Sequence, residues 1–310
     1  MSESTAGLRR QIANATELQS VVRTMRAIAA SNIGQYEAAV AALVPYDDTI
    51  ERGLGACLRE DLGRRQARPT PATGRNAALG AIVFGSDQGL VGPFNDVVAA
   101  RAIATLQALS KPQAVWVVGE RIAARLIDAG IAVTRTYAVP VCVDAIDPLV
   151  GRLQIDVETH PGQLQEPRLL VFHNRPLPGA LYEPVDRQLL PLDARWLDSM
   201  TRRPWTSVVV PEVFGTGAST LRALLRDYLY VSLYRACAES LASENASRLA
   251  AMQRADKSID DLLQTLQGRL ARLRQETIDA ELFDVIAGYE AMRGSDARGS
   301  VAPTGGAPGA

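Results

Sequence analysis

Lysine is almost missing from this 310-residue chain: Lys111 and Lys257 stand alone among 33 basic residues. Acidic residues number 34, so the net charge is −1 and no cationic excess is on offer to neutralise a phosphate backbone. That argues against nucleic-acid binding and against general attraction to anionic lipid. Cysteine is scarce, and Cys57, Cys142 and Cys237 lie far apart, with neither a disulfide framework nor zinc-site spacing. Reduced thiols in a cytoplasmic compartment are the reading. Histidine is scarcer still, with only His160 and His173. No apolar run approaches the ~18–20 residues a membrane span needs. The opening MSESTAGLRRQ has no apolar core of a secretory leader, so none is expected.

Proline is absent from long stretches at both ends, and those stretches carry a helical period. From Leu8, steps of four and three visit Leu8, Ile12, Ala15, Gln19, Val22, Arg26, Ala29, Ile33, Tyr36, Val40 and Leu43, polar only at Gln19 and Arg26. This is a sustained heptad-like seam, expected to run as helix over 4–58 with a kink at Pro45. Near the other end, the same steps from Leu224 run through Tyr228, Val231, Ala238, Ala242, Leu249, Met252, Ile259, Leu263, Leu266 and Leu270 to Leu273. Arg235, Asn245 and Asp256 interrupt them. The second helix is expected over 212–292, about 105 Å or more at 1.5 Å per residue. The closing GSDARGSVAPTGGAPGA has little to bury, so 293–310 reads as a disordered tail. Two such helices can bury their seams against each other, closing the chain's ends into one antiparallel pair, or against a partner.

Between them, over 75–210, short apolar runs alternate with helical ones. Strands are expected at 78–84, 114–119, 131–139 and 167–174, with 187–192 pairing to the last. Helices are expected at 93–110, 120–130 and after Pro148. This is the grammar of a small α/β domain.

Catalytic motifs are wanting. There is no phosphate loop of the GxxxxGK[ST] type, no GxGxxG and no GxSxG elbow. The first strand runs into GSDQGLVGPFN, where Asp87 would repel a phosphate; a strand-to-helix turn with an Asn cap is the plainer reading. The two histidines have no cysteine or acidic cluster at ligand spacing and read as surface or satisfied side chains. No catalytic, cofactor or metal residue is assigned. The architecture suits a structural or transmitting protein. A coiled-coil scaffold with an α/β insertion and an α/β enzyme with helical dimerisation arms are the alternatives.

Four stretches resemble the gamma subunit of F-type rotary ATP synthases, in that family's order. The first is LRRQIANATELQSVVRTMRAIAASNI, matching through Thr24, Met25 and Ala27 to Ser31; the second is GSDQGLVGPFN. The third is LLRDYLYVSLYRACAESLASENASRLAAMQRA, and the fourth LRQETIDAELFDVIAGYEAM. Gln88, Val91 and Pro93 depart from the family's Arg, Cys and Gly, and Asp279 and Ala280 replace a Thr-Gln pair. The chain is similar to a divergent copy, such as those of an alternative F-type ATPase.

The resemblance implies a fold: N- and C-terminal helices paired as an antiparallel coiled coil, with a Rossmann-like α/β domain inserted. It implies a non-catalytic rotor shaft without a cofactor. The implied partners are the alpha and beta subunits of a catalytic hexamer, an epsilon subunit and a c-subunit ring. The implied place is the cytoplasmic face of a bacterial inner membrane, reached only through the complex. Arg23, Met25, Arg26, Arg274, Gln275 and Glu281 are implied contacts to beta, with solvated helix charge as the alternative for each arginine. Trp205 and Glu212 are implied contacts at the foot, where epsilon and the ring bind. The small residues of LASENASR (241–248) suit close helix packing.

Overall fold

The computed structural model describes residues 4–64, 79–109, 114–160, 168–177, 180–202, 209 and 217–298. Its first element, α1, spans Thr5–Arg64 and runs through Pro45. Its last, α6, spans Gly217–Arg298. Residues 293–298 of the expected tail are therefore helical, continuing the proline-free helix before them, and 299–310 lie outside the described residues.

Among the described residues five strands lie between these helices: β1 (Leu79–Phe84), β2 (Ala114–Val118), β3 (Arg135–Tyr137), β4 (Arg168–Leu177) and β5 (Ala180–Leu190). They form one sheet in the order β3-β2-β1-β4-β5. The first four run parallel, and β5 closes one edge antiparallel to β4. The helices of this region are α2 (Phe94–Ala108), α3 (Glu120–Asp128), α4 (Ile146–Thr159) and α5 (Ala194–Arg202).

Three expectations are corrected. The third strand is confined to Arg135–Tyr137, because Ile131 spends its N–H on Leu126 O to finish α3. Helix α4 starts before Pro148, which sits in the first turn, where a missing N–H costs nothing. The last strand begins at Ala180, and it tolerates Pro184 because β5 is an edge.

The chain divides into two compact units. In the larger, Thr24–Gln253, both sheet faces are covered. On one face Ala81, Val83, Val115, Val117 and Phe172 pack against α2 and α3. On the other, Ile82, Phe84, Trp116 and Val171 pack against α4 and against α6 at Leu233, Ala236, Cys237 and Leu241. Helix α6 is thus a layer of the α/β core as well as the partner of α1. Ile50 and Leu54 of α1 meet Tyr228 and Val231 of α6 in a further core, with Trp196 of α5 against the Tyr228 ring at 5.1 Å.

The smaller unit comprises Met1–Arg23 and Arg254–Ala310. Within it Leu8, Ala15, Gln19 and Val22 of α1, and Asp256, Ile259 and Leu266 of α6, are buried. Every seam position read from the sequence, on both helices, is buried or half-buried.

Candidate functional site

In nucleotide-binding doubly wound sheets, the ligand sits beyond the strand ends where strand order reverses. Here that place lies after β1, between β2 and β4, and the protein fills it with its own side chains. Gly85 and Gly119 let the backbones close in. A Cβ on Gly85 would lie 2.4 Å from Ile122, and Gly119 has φ +115° with Ser86 backbone atoms 2.9 Å from where its Cβ would be. Asn95 Oδ1 accepts from Ser86 N at 3.0 Å, and Asn95 Nδ2 donates to Ser86 Oγ at 2.8 Å. Asp87 Oδ1 accepts from Glu120 N at 2.9 Å, capping α3 where the helix would otherwise offer donors to a phosphate. Its Oδ2 accepts from Val139 N at 2.8 Å.

Helix α6 closes the crevice. Ser243 Oγ donates to Asn174 O at 3.0 Å, Ser247 Oγ donates to Val91 O, and Asn174 Nδ2 donates to Phe94 O at 2.9 Å. The serines of LASENASR are the small residues that admit this approach. Sequence reasoning missed Asp87 as a cap, because Glu120 and Val139 come near it only in the folded chain.

Beside this hub a groove of about 280 Å³ opens among Met25, Ile28, Asn32, Val141, Glu244 and Arg248. Buried Glu244 and half-buried Arg248 form a pair one turn apart, at 2.6 Å. Burial pushes the Glu244 carboxyl above its ordinary value, and the Arg248 charge pulls it only part of the way back. Glu244 Oε2 and Arg248 Nε have no hydrogen-bond partner. Tyr36, on the same wall, is pushed up to about 12 by burial and by the Glu244 charge.

Of the implied beta contacts, Met25 and Arg26 are half-buried on α1. Arg23 is about half exposed, and its Nε lies 3.1 Å from Asp256 Oδ1, so it helps hold the seam while facing solvent. Arg274, Gln275 and Glu281 share one exposed stretch of α6 in the smaller unit: every residue from Arg274 to Gly288 is exposed. That stretch carries Ile278, Leu282, Phe283, Val285 and Ile286 at 46% to 70% exposure. Arg274, Gln275 and Glu281 share α6, while Arg23, Met25 and Arg26 lie on α1. Trp205 and Glu212 lie outside the described residues.

The exposed apolar stretch was also missed in the sequence. Its signal is a length mismatch: α1 has 60 residues and α6 has 82, so antiparallel pairing leaves part of α6 uncovered.

No helix among the described residues is long and apolar enough to cross a membrane. The fold defines a class: two long terminal helices with a small mixed sheet between them in the chain. Residues 4–292 match the family described as ATP synthase, and the chain belongs to this ATP synthase gamma family.

Solved structures share the fold at low identity. A chain of the Tetrahymena thermophila mitochondrial ATP synthase central stalk and c-ring matches with TM-score 0.54 at 19% identity, covering 76% of this chain and 99% of that one. A Euglena gracilis mitochondrial ATP synthase chain, from an OSCP/F1/c-ring structure, matches with TM-score 0.62 at 14% identity, covering 98% of each. A second Euglena gracilis chain, from a rotor structure, matches with TM-score 0.58 at 13% identity, covering 88% of this chain and 98% of that one.

Proposed function

We propose that this chain is the central rotor shaft of an F-type ATP synthase, coupling ion-driven rotation of a membrane c-ring to ATP synthesis or hydrolysis at an alpha/beta hexamer. The carrying observation is the run from Arg274 to Gly288, exposed throughout and bearing Ile278, Leu282, Phe283, Val285 and Ile286. A lone helix with that much exposed apolar surface calls for a sleeve of other chains. The alpha and beta subunits are that sleeve, and Arg274, Gln275 and Glu281 are its polar contacts to beta. On α1, Arg23, Met25 and Arg26 face beta elsewhere along the shaft.

Such a shaft transmits work only if its contacts differ with angle. A contact held equally at every angle shifts no equilibrium, whereas one present at a single angle stabilises one beta conformation over the others. The chain supplies asymmetry and stiffness rather than catalytic groups. Trp205 and Glu212 belong to the foot that meets epsilon and the c-ring. The complex sits at the cytoplasmic face of a bacterial inner membrane, and this subunit reaches the membrane only through it.

The test is assembly. Mixed with its alpha and beta subunits, the chain is expected to enter a complex in a single copy that hydrolyses ATP, while the chain alone turns over none. Turnover by the chain alone, or no complex, contradicts the reading.

A further inference from the structure

Where α6 crosses the β4–β5 edge, the core changes character. On the sheet face toward α6, β4 continues from the apolar Val171 to His173 and then Arg175, and Arg187 of β5 stands opposite Val171. Arg235 and Glu239 of α6 complete the lining of a cavity of about 110 Å³. His173 is 4% exposed. Its Nε2 lies 2.7 Å from Glu239 Oε2, and its Nδ1 is buried with no partner. An ionised carboxylate only accepts, so Nε2 carries a proton and the open nitrogen is Nδ1.

The surrounding charges are unevenly matched. Arg175 is paired with Glu183, and Arg235 with Asp47 at 2.6 Å. Among the described residues Arg187 has no carboxylate partner; its guanidinium donates to Tyr228 Oη at 3.2 Å and lies 6.0 Å from that ring's centroid. The cavity thus gathers three guanidinium groups and a histidine, with Glu239 as its one acidic lining residue.

We propose that this cavity binds a small tetrahedral oxyanion of the phosphate and sulfate class. Arg187 is its principal partner through the planar fork that suits such oxygens. The volume admits one such ion with water and excludes a nucleoside. The partnerless Nδ1 of His173 lies at the same cavity, and Glu239, Arg175, Arg187 and Arg235 are the charged groups lining it beside the ring. Bound there, the ion clamps the β4–β5 hairpin to α6, which is also the helix of the shaft.

The test uses the full chain in calorimetric titrations with inorganic phosphate, sulfate, chloride and ADP at matched ionic strength. Saturable millimolar binding of phosphate and sulfate, without chloride, is expected. Arg187→Gln is expected to weaken sulfate at least tenfold, and Arg101→Gln, at an exposed pair with Asp186, to leave it unchanged. A nitrogen-15 spectrum of the intact chain, in which the His173 ring signals move with sulfate and not with chloride, tests the same claim if a variant fails to fold. No saturable binding, equal affinity in Arg187→Gln, an unchanged histidine signal, or tighter binding of ADP than of phosphate overturns it.

Discussion

Gln19 and Asp256 meet across the two long helices, Gln19 Nε2 donating to Asp256 Oδ1 at 3.2 Å, at seam positions where aliphatic residues would otherwise interdigitate. Both are buried, and Gln19 also donates to Asp260. A polar pair inside a seam specifies register, since any slip leaves both groups buried and unpaired. Gln19→Leu is expected to cost about 1–3 kcal/mol, because Asp256 loses a donor. The companion change Asp256→Leu in the same chain is expected to recover most of that loss. Denaturant unfolding of both singles and the double measures the coupling, and strict additivity would contradict the pairing.

Both long helices were legible because their period survives over tens of residues and burial follows it at every step. The polar breaks were legible as positions but not as pairs. Nothing in the local sequence tells that Arg235 meets Asp47 at 2.6 Å, or Asn32 meets Asn245 at 3.5 Å. Helix α5 escaped notice because it is short and its packing partner Tyr228 lies far along the chain. The resemblance named Arg274 and Gln275, but exposure was needed to find Phe283 and its apolar neighbours.

Glu244 gives a pH signature. Its pKa in the folded protein is raised above the ordinary 4.5 by burial, so the native state binds its proton more tightly than the unfolded chain does. Stability from this group is therefore full below the ordinary value and is lost as pH rises through the raised one. Glu244→Gln is expected to flatten that decline and to match or exceed wild-type stability at neutral pH. Arg248→Met, which leaves the carboxylate buried without its partner, is expected to cost about 3–5 kcal/mol. Thermal unfolding across pH checks both; a steeper decline in Glu244→Gln contradicts the assignment.

Asp87 is a structural hub. Asp87→Ala removes the acceptor of Glu120 N and Val139 N. Hydrogen bonds to a charged group are worth about 1.5–3 kcal/mol each, so a loss of at least about 2 kcal/mol is expected. Denaturant titration of the full chain measures it, and a change below about 0.5 kcal/mol means the turn holds without the carboxylate.

Arg274 and Gln275 test the proposed contact with beta. Both are exposed, so changing them together to Ala leaves the fold intact. If they meet beta at one angle only, losing a charged hydrogen bond of about 1.5–3 kcal/mol alters ATP turnover of the complex by about tenfold to a hundredfold. Steady-state rates of complexes matched for subunit content decide it, and equal rates assign the pair to a solvated face.

Rotation is the most direct measurement. With the alpha/beta hexamer fixed to a surface and a bead attached through the exposed thiol of Cys142, ATP is expected to drive the bead in one direction. One pause per beta subunit is expected in each turn. A bead that stays still or only fluctuates, on complexes that hydrolyse ATP at full rate, would contradict the account of this chain as the shaft.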